Sequence, residues 1–155
     1  MAVAVVGAGA VGLTAARDLA AGGADVTVYE RDSVGAGATG RAAGIVHDAV
    51  AVDVDATLHD RAIERFRDLS GDGRFRFHET PYCWFVTEEG GVSDLVDGVE
   101  RMRANGRGVE SLDTEDLRRR FPQVSADDVA AAAVATDAGV ADPEAYVVLM
   151  ARRAR

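Results

Sequence analysis

The spacing of apolar and polar residues predicts a strand, a helix and a second strand at the start of the chain. The valine-rich run Ala2–Val6 is continuously apolar, as in a strand buried on both faces of a parallel sheet. Ala10–Ala21 has apolar residues at helical spacing and ends at a Gly-Gly pair. Residues 25–30 contain the β-branched run Val26-Thr27-Val28 and end in Glu30. Because crossovers between parallel strands are right-handed, we expect these elements to pack as one βαβ unit.

The same helical spacing predicts four further helices, over residues 60–69, 92–104, 115–121 and 143–155. Thr114 is expected to cap the third helix. Asp142 is expected to cap the last, with Pro143 at its first helical position. Asp53 and Asp55, before the first of these helices, are expected on a solvated strand or turn.

Strand-like runs occupy the middle of the chain. Residues 74–78 and 82–87 flank the short connection Glu79-Thr80-Pro81, which predicts an antiparallel hairpin. The alanine run 130–135 suits a strand, although periodicity alone does not separate a strand from a helix there. The pattern as a whole predicts an α/β fold that joins a βαβ unit to a partial antiparallel sheet.

The composition indicates one globular domain, or one domain with a small appended piece. The 155 residues carry 26 acidic and 17 basic side chains, all of the latter arginine, for a net charge of −9. Such a surface repels nucleic acid and anionic membranes, so neither is expected as a partner. Cys83, the only cysteine, lies in an apolar run that predicts a buried, unreactive thiol. Without a basic leader or an apolar stretch near the ~18 residues of a membrane span, a cytoplasmic location is expected.

A glycine motif follows the first predicted strand. Gly7, Gly9 and Gly12 match the G-x-G-x-x-G pattern of dinucleotide sites. The first glycine permits a tight turn, the second lets a pyrophosphate approach the backbone, and the third lets the helix pack against the strand. The helix that begins near Ala10 directs its free amides and positive dipole end at the phosphates.

Glu30 makes this motif specific. It ends the second predicted strand, 18 positions after Gly12, close to the ~20-residue spacing at which a carboxylate accepts hydrogen bonds from the adenosine ribose. The alternative is a solvated strand end. A carboxylate there repels a 2′-phosphate and so disfavours NADP, which leaves FAD or NAD. Together these residues predict a Rossmann-like unit.

The stretch between residues 34 and 44 carries four glycines among small residues. So many small side chains allow the backbone to approach a ligand closely. The alternative is a flexible linker, but Arg41 and the apolar pair Ile45-Val46 favour a functional loop.

Four segments resemble the FAD-dependent oxidoreductases of the D-amino-acid oxidase and glycine oxidase group, which includes sarcosine oxidase. They are residues 3–12 with Glu30-Arg31, 37–45, 117–122 and 137–143. The resemblance implies that FAD is the cofactor. It places three sets of residues along FAD: Gly7, Gly9, Val11 and Gly12 on the pyrophosphate; Glu30 and Arg31 on the adenosine ribose; Ala38, Thr39, Arg41, Ala43, Gly44 and Ile45 toward the flavin. Gly40 stands where many members carry a serine or threonine.

The resemblance also implies a domain organisation: residues 1–48 as an FAD-binding part, 49–136 as a partial substrate or cap region, and 137–155 as a helix returning to the FAD domain. It covers only the N-terminal half of the family's fold. The expected partners are therefore a small-molecule amine or amino acid in the complete protein, and a complementing C-terminal half or further copies of the chain.

In this family the flavin accepts a hydride from the carbon beside the substrate nitrogen, so this half needs no acid or base of its own and no catalytic residue is assigned. The resemblance implies that His47 would lie near the flavin edge, where a base could act, although a lone loop histidine is more often a bystander. The histidine spacing does not predict a metal site. The half alone is expected to be inactive, and two alternatives stay open: an NAD-dependent dehydrogenase domain, or a non-catalytic remnant or subunit that binds a partner.

Overall fold

A computed structural model of the chain describes residues 1–50 and 53–154, and side chains at these positions other than 53–56. The helices and strands of the described residues follow one another in the order β1 (Ala2–Val6), α1 (Ala10–Ala21), β2 (Asp25–Tyr29), β3 (Ile45–His47), α2 (Asp53–Leu69), β4 (Phe77–Glu79), β5 (Tyr82–Val86), α3 (Val92–Ala104), β6 (Val109–Leu112), α4 (Thr114–Arg120), β7 (Ala131–Ala135), β8 (Ala138–Ala141) and α5 (Pro143–Arg153). Short 3₁₀ turns occupy Thr39–Arg41 and Glu89–Gly91. None of the described helices has the length and apolar character that a membrane span requires.

The chain divides into two compact units. The first unit contains Met1–Ile45, Phe66–His78 and Val140–Arg155, and the second contains Val46–Arg65 and Glu79–Gly139. A three-stranded sheet has the order β3-β8-β4. The domain boundaries expected after residues 48 and 136 stay predictions.

The first unit opens with the predicted βαβ arrangement. β1 and β2 are parallel, with Val3 opposite Val26, and α1 has the bounds that the apolar spacing predicts. The expectation that β1 is buried on both faces is wrong: its exposure alternates along the strand, and the side chain of Val6 is 87% exposed. The reason is that α1 packs on one face of the β1-β2 pair, so the alternate side chains, with Tyr29 among them, face outward.

Helix α5 packs against α1 in the same unit. The hydroxyls of Thr14 and Tyr146 lie 2.8 Å apart and join the two helices. The Tyr146 ring also packs against Phe66 and Phe75, and Phe75 is fully buried. The Asp142 carboxylate accepts hydrogen bonds from the two amides at the start of α5, so the predicted cap is confirmed.

The second unit is built on an antiparallel sheet of order β5-β7-β6. The alanine run is its central strand, β7, and residues 132–135 are fully buried. On one face of this strand Val134 packs with Leu117 of α4, and on the other Ala133 packs with Val99 of α3. Small side chains let helices approach both faces of β7 closely, which resolves the ambiguity of the sequence in favour of a strand.

The predicted hairpin is wrong. β4 and β5 belong to different sheets, and β5 pairs with β7. The amide of Thr80 donates to the carbonyl of Ala138 at 3.1 Å instead of closing a turn. Pro81 has no N–H and so cannot donate a hydrogen bond that would close a turn between β4 and β5.

Two smaller expectations also need correction. The cap of α4 is Asp113, whose carboxylate accepts a 2.7 Å hydrogen bond from the amide of Asp116, and Thr114 is already helical. Asp53 and Asp55 lie within α2, of which the expected helix 60–69 is only the C-terminal part. Apolar spacing missed the first turns of α2 because residues 53–60, DVDATLHD, carry no run of apolar residues at helical spacing.

Candidate cofactor-binding site

Two glycines of the motif are required by backbone geometry. Gly7 has a φ of +101°, in the left-handed region that favours glycine, and its amide donates to the carbonyl of Tyr29 at 2.7 Å. A Cβ on Gly12 would lie 2.0 Å from the Gly7 carbonyl oxygen and 3.4 Å from Val5. The turn and the start of α1 are therefore closely packed, and a side chain at position 12 cannot be accommodated without moving the backbone.

The N-terminus of α1 presents free amides. Its N-cap, Gly9, has no side chain, and the first helical hydrogen bond runs from the amide of Leu13 to the Gly9 carbonyl. The amides of Val11 and Gly12 precede that bond and so have no carbonyl partner within the helix. Val11 is 86% exposed, and its side chain has no hydrogen-bonding group. Its backbone amide is therefore the part that can make the predicted pyrophosphate contact.

Thr39 completes this helix end. Its hydroxyl oxygen accepts a 3.0 Å hydrogen bond from the amide of Ala10. A Cβ on Gly9 would lie 3.0 Å from the same oxygen, so the small residue there lets the loop approach the helix. The loop of small residues is thus folded onto the glycine turn.

Glu30 is fixed by two backbone amides. One carboxylate oxygen accepts from Ala8 at 2.8 Å, and the other accepts from Asp32 at 3.0 Å. These hydrogen bonds, with the Ala8 amide the larger influence, lower the pKa of Glu30. The group is solvent-exposed and remains a carboxylate at neutral pH, held at the edge of the glycine turn.

Arg31 lies beside Asp32. Its guanidinium is 3.3 Å from the Asp32 carboxylate, and its side chain is 92% exposed. The structure therefore shows Arg31 against a neighbouring acid, while its predicted ribose contact stays a prediction.

These segments bound a cleft of about 420 Å³, which we call the Glu30 cleft. Its walls are the glycine turn, residues 30–32 and residues 37–39. The volume lies within the range of small-molecule sites. Of the predicted cofactor residues, six line this cleft: Gly7, Gly9, Glu30, Arg31, Ala38 and Thr39.

Besides Val11 and Gly12 at the start of α1, the other four predicted residues lie between positions 41 and 45. Arg41 and Ala43 are exposed, and Ile45, the first residue of β3, is 53% exposed. Gly44 is tightly packed: it has a φ of +74°, and a Cβ there would lie 1.9 Å from the Ala141 carbonyl oxygen. The amide of Ala141 donates to the Gly44 carbonyl at 2.9 Å, so this glycine is needed for the contact with β8.

Gly40 has a similar explanation. Its amide donates to the Gly35 carbonyl at 2.8 Å, and a Cβ on Gly40 would lie 2.7 Å from that oxygen. A serine or threonine at this position would displace the turn that begins at Gly35.

The Glu30 cleft fits the adenosine and pyrophosphate half of a dinucleotide. It offers free helix amides for a diphosphate and a fixed carboxylate for ribose hydroxyls. A Cβ on Gly37 would meet nothing within 4 Å, so the wall formed by residues 37–39 leaves free space beside this glycine.

The second unit contains a charged cluster that sequence spacing did not reveal. Asp48, directly after β3, is 3% exposed; burial, and next the charge of Asp137, raise its pKa. The Arg107 guanidinium faces Asp48 at 4.0 Å and binds both carboxylate oxygens of Asp60. The participating residues are far apart in sequence and lie on different elements, so no periodic signal could have identified them.

His47 lies beside this cluster at the end of β3. Its ring stacks on Tyr82, with centroids 4.3 Å apart and planes inclined by 9°. Burial, and next the charge of His59, lower its pKa. Cys83 is half-buried, and burial raises the pKa of its thiol, which disfavours the reactive thiolate. Within the described part of the chain, no group of three or more His, Cys, Asp or Glu side chains is arranged to hold a metal ion.

Comparison with known proteins identifies relatives. A family model described as FAD dependent oxidoreductase (DAO) matches residues 2–155. The chain is 30% identical over 133 residues to one of the subunits of anaerobic glycerol-3-phosphate dehydrogenase from Haemophilus influenzae, covering 85% of this chain and 24% of that protein. It superposes on L-proline dehydrogenase from P. horikoshii with a TM-score of 0.88 at 26% identity, covering 97% of this chain and 40% of that chain. For glycine oxidase from Bacillus cereus ATCC 14579 the TM-score is 0.84 at 20% identity, covering 97% and 42%.

The chain thus spans less than half the length of each of these relatives. The matches confirm the predicted resemblance and the α/β fold. They also confirm FAD as the family's cofactor, against the NAD-dependent alternative. The chain belongs to the FAD-dependent oxidoreductase family.

Proposed function

We propose that this chain is the cofactor-binding half of an FAD-dependent amine or amino-acid oxidoreductase, and that the Glu30 cleft holds the adenosine and pyrophosphate of FAD. The observation that carries the proposal is the Glu30 carboxylate, held between the amides of Ala8 and Asp32 at the edge of the glycine turn. An acid fixed in this way, next to free helix amides, presents complementary groups to a ribose and its diphosphate.

Glu30 has capacity left for a ligand. Each carboxylate oxygen offers about two acceptor positions, and the structure uses one on each for a backbone amide. The remaining positions can accept hydrogen bonds from the two ribose hydroxyls. Because the backbone bonds orient the carboxylate in advance, little side-chain entropy is lost on binding.

Two backbone amides and one hydroxyl of the chain can bind the diphosphate. The amides of Val11 and Gly12 lie at the positive end of α1. The Thr39 hydroxyl already accepts from Ala10, so its own proton can be donated to a phosphate oxygen. Gly44, packed against β8, would hold the segment that leads toward the flavin.

The chemistry that a bound flavin supplies is acceptance of a hydride from the carbon beside the substrate nitrogen. The chain's own residues provide binding and orientation. We therefore assign no catalytic side chain to this half and expect no turnover from it alone.

The names of the relatives support two substrate classes. L-proline dehydrogenase and glycine oxidase favour a CH–NH substrate, and we take this as the main candidate. Anaerobic glycerol-3-phosphate dehydrogenase, at 30% identity, supports a CH–OH substrate as the second. Anaerobic mixing of proline, glycine or glycerol 3-phosphate with the FAD-loaded chain and its complementing partner separates them, because bleaching of the flavin absorbance identifies the substrate that is oxidised.

Cofactor choice can be tested directly by titrating the purified chain with FAD, NAD and NADP while recording the fluorescence of Trp84. Tighter binding of FAD than of NAD supports the proposal. Tighter binding of NAD would contradict it and restore the dehydrogenase alternative.

The substrate site is proposed to need a partner, either a complementing C-terminal half or another copy of the chain. The support is the exposed apolar side chains of the first unit outside the Glu30 cleft, which include Val140 and Val148. Light scattering that shows a monodisperse monomer with no tendency to associate would count against this proposal. An associating chain that binds no FAD would favour the non-catalytic subunit instead.

A further inference from the structure

Arg107 occupies a tightly built turn of the second unit. The turn follows α3, contains Gly106 with a φ of +77°, and is closed by a hydrogen bond from the Arg107 amide to the Met102 carbonyl. A Cβ on Gly108 would lie 2.7 Å from the Thr136 hydroxyl. The backbone on both sides of Arg107 is thus fixed, and its side chain is only 12% exposed.

The guanidinium of Arg107 contacts two carboxylates that differ in solvent exposure. It binds both oxygens of Asp60 on α2, whose side chain is 52% exposed. It also faces the Asp48 carboxylate, 5% exposed, at 4.0 Å. A third carboxylate, Asp137, adds to the electrostatic field at Arg107. A planar guanidinium held bidentately by one acid presents its charge to the second in a defined direction.

The neighbours of these two acids are also joined. His59, next to Asp60, lies with Nδ1 2.6 Å from the carbonyl oxygen of His47, and since a carbonyl only accepts, His59 donates. His47 is next to Asp48. The contacts therefore form a closed ring: His47 and Asp48 of one segment, Arg107, then Asp60 and His59 of α2.

We propose that Arg107 is a positioning residue for His47: by binding Asp60 and facing Asp48, it fixes the end of β3 and keeps the His47 ring stacked on Tyr82. This inference rests on the proposed function, because His47 closely follows the segment proposed to lead toward the flavin. It assigns this chain a residue that orients the imidazole through its contacts with Asp48 and Asp60.

The test is the imidazole carbon–proton NMR signal of His47 in the full chain, without FAD. A stacked aromatic ring shifts this signal upfield, and Tyr82→Leu gives the position of the unstacked ring. Arg107→Met is expected to lose most of the upfield shift. Arg107→Lys keeps the charge but cannot bind both carboxylate oxygens of Asp60 with a planar guanidinium, so it is expected to lose a part of the shift. Asp60→Asn is expected to act like Arg107→Met because it opens the same ring of contacts.

Arg118→Met is the matched control, since Arg118 pairs with Asp127 on the surface of the same unit at 3.3 Å. It is expected to leave the His47 signal in place. An unchanged His47 signal in Arg107→Lys, or in Arg107→Met when that variant folds, overturns the proposal and reduces Arg107 to a structural ion pair. Addition of FAD to the wild-type sample tests the proposed function separately, so the two can fail independently.

Discussion

The hydroxyl of Thr39 caps the amide of Ala10 at 3.0 Å, although the two residues are 29 positions apart. The first amides of a helix have no partner within the helix, and the side chain of the N-cap residue commonly accepts a hydrogen bond from one of them. Here the local cap is Gly9, so the loop of small residues supplies the side chain instead. The cap and the third wall of the Glu30 cleft are thus one structure.

Thr39→Val tests this link. The variant removes the acceptor for the Ala10 amide, so we expect a loss of about 1 kcal/mol in the free energy of unfolding. We also expect weaker FAD binding, because the loop is no longer held against α1. Thr39→Ser keeps the hydroxyl and should retain both properties. Urea unfolding and FAD titration of the two variants give the comparison, and equal behaviour of both would contradict the link.

Glu30→Gln should weaken FAD binding by roughly tenfold, the order expected for one charge-assisted hydrogen bond. The amide keeps the shape but loses the charge and one acceptor oxygen. Glu100→Gln, at an exposed position on α3, is the matched control and should change nothing. Because the pKa of Glu30 is lowered, wild-type affinity should hold until the pH falls below the ordinary glutamate value of about 4.3, and then decrease. If Glu30→Gln binds FAD as tightly as the wild type does, Glu30 does not contribute to the FAD site.

Asp48 should make the free energy of unfolding decrease as the pH rises, whereas FAD affinity is expected to decrease as the pH falls. Its pKa is raised in the folded chain, mainly by burial, so the folded state binds the proton more tightly than the unfolded state. Its contribution to stability is present below the unfolded pKa of about 3.9 and is lost as the pH rises through the higher folded pKa. Asp48→Asn should remove this decline in urea unfolding between those two values, whereas Asp97→Asn on α3 should leave it intact. A decline of equal size in Asp48→Asn would contradict the assignment.

Two glycine variants should change stability in opposite directions. Gly44→Ala places a Cβ 1.9 Å from the Ala141 carbonyl at a positive φ, so we expect a loss of at least about 2 kcal/mol. Gly98→Ala lies inside α3, where a Cβ would meet only the end of the Arg101 side chain at 3.9 Å. Its better helix propensity should raise stability by about 0.5–1 kcal/mol. Calorimetry of both variants tests this. An unchanged stability of Gly44→Ala would contradict the close contact between Gly44 and β8.

The features that local patterns control were predictable. The bounds of α1 and α3 follow from apolar spacing and flanking glycines, and Asp142 with Pro143 marks the start of α5. The position of Glu30 beside the glycine turn was predictable from its distance to the glycine motif, because a βαβ unit fixes that distance geometrically.

Long-range pairing was not predictable in the same way. β6 and β8 have no distinctive period of their own, and each is defined by its pairing partner. The hairpin prediction failed because β5 pairs with a strand that lies much later in the chain. The carboxylates around Arg107 show the same limit, since their burial depends on contacts between separate elements.

Whether the Glu30 cleft holds the ADP part of FAD can be measured by an amide nitrogen–proton NMR titration of the whole chain with ADP. We expect saturable shifts for the amides of Ala8, Val11 and Gly12, for Asp32 and for Thr39, with the signals of α3 unchanged. A spectrum that ADP leaves unaltered, or shifts confined to the second unit, would contradict this expectation.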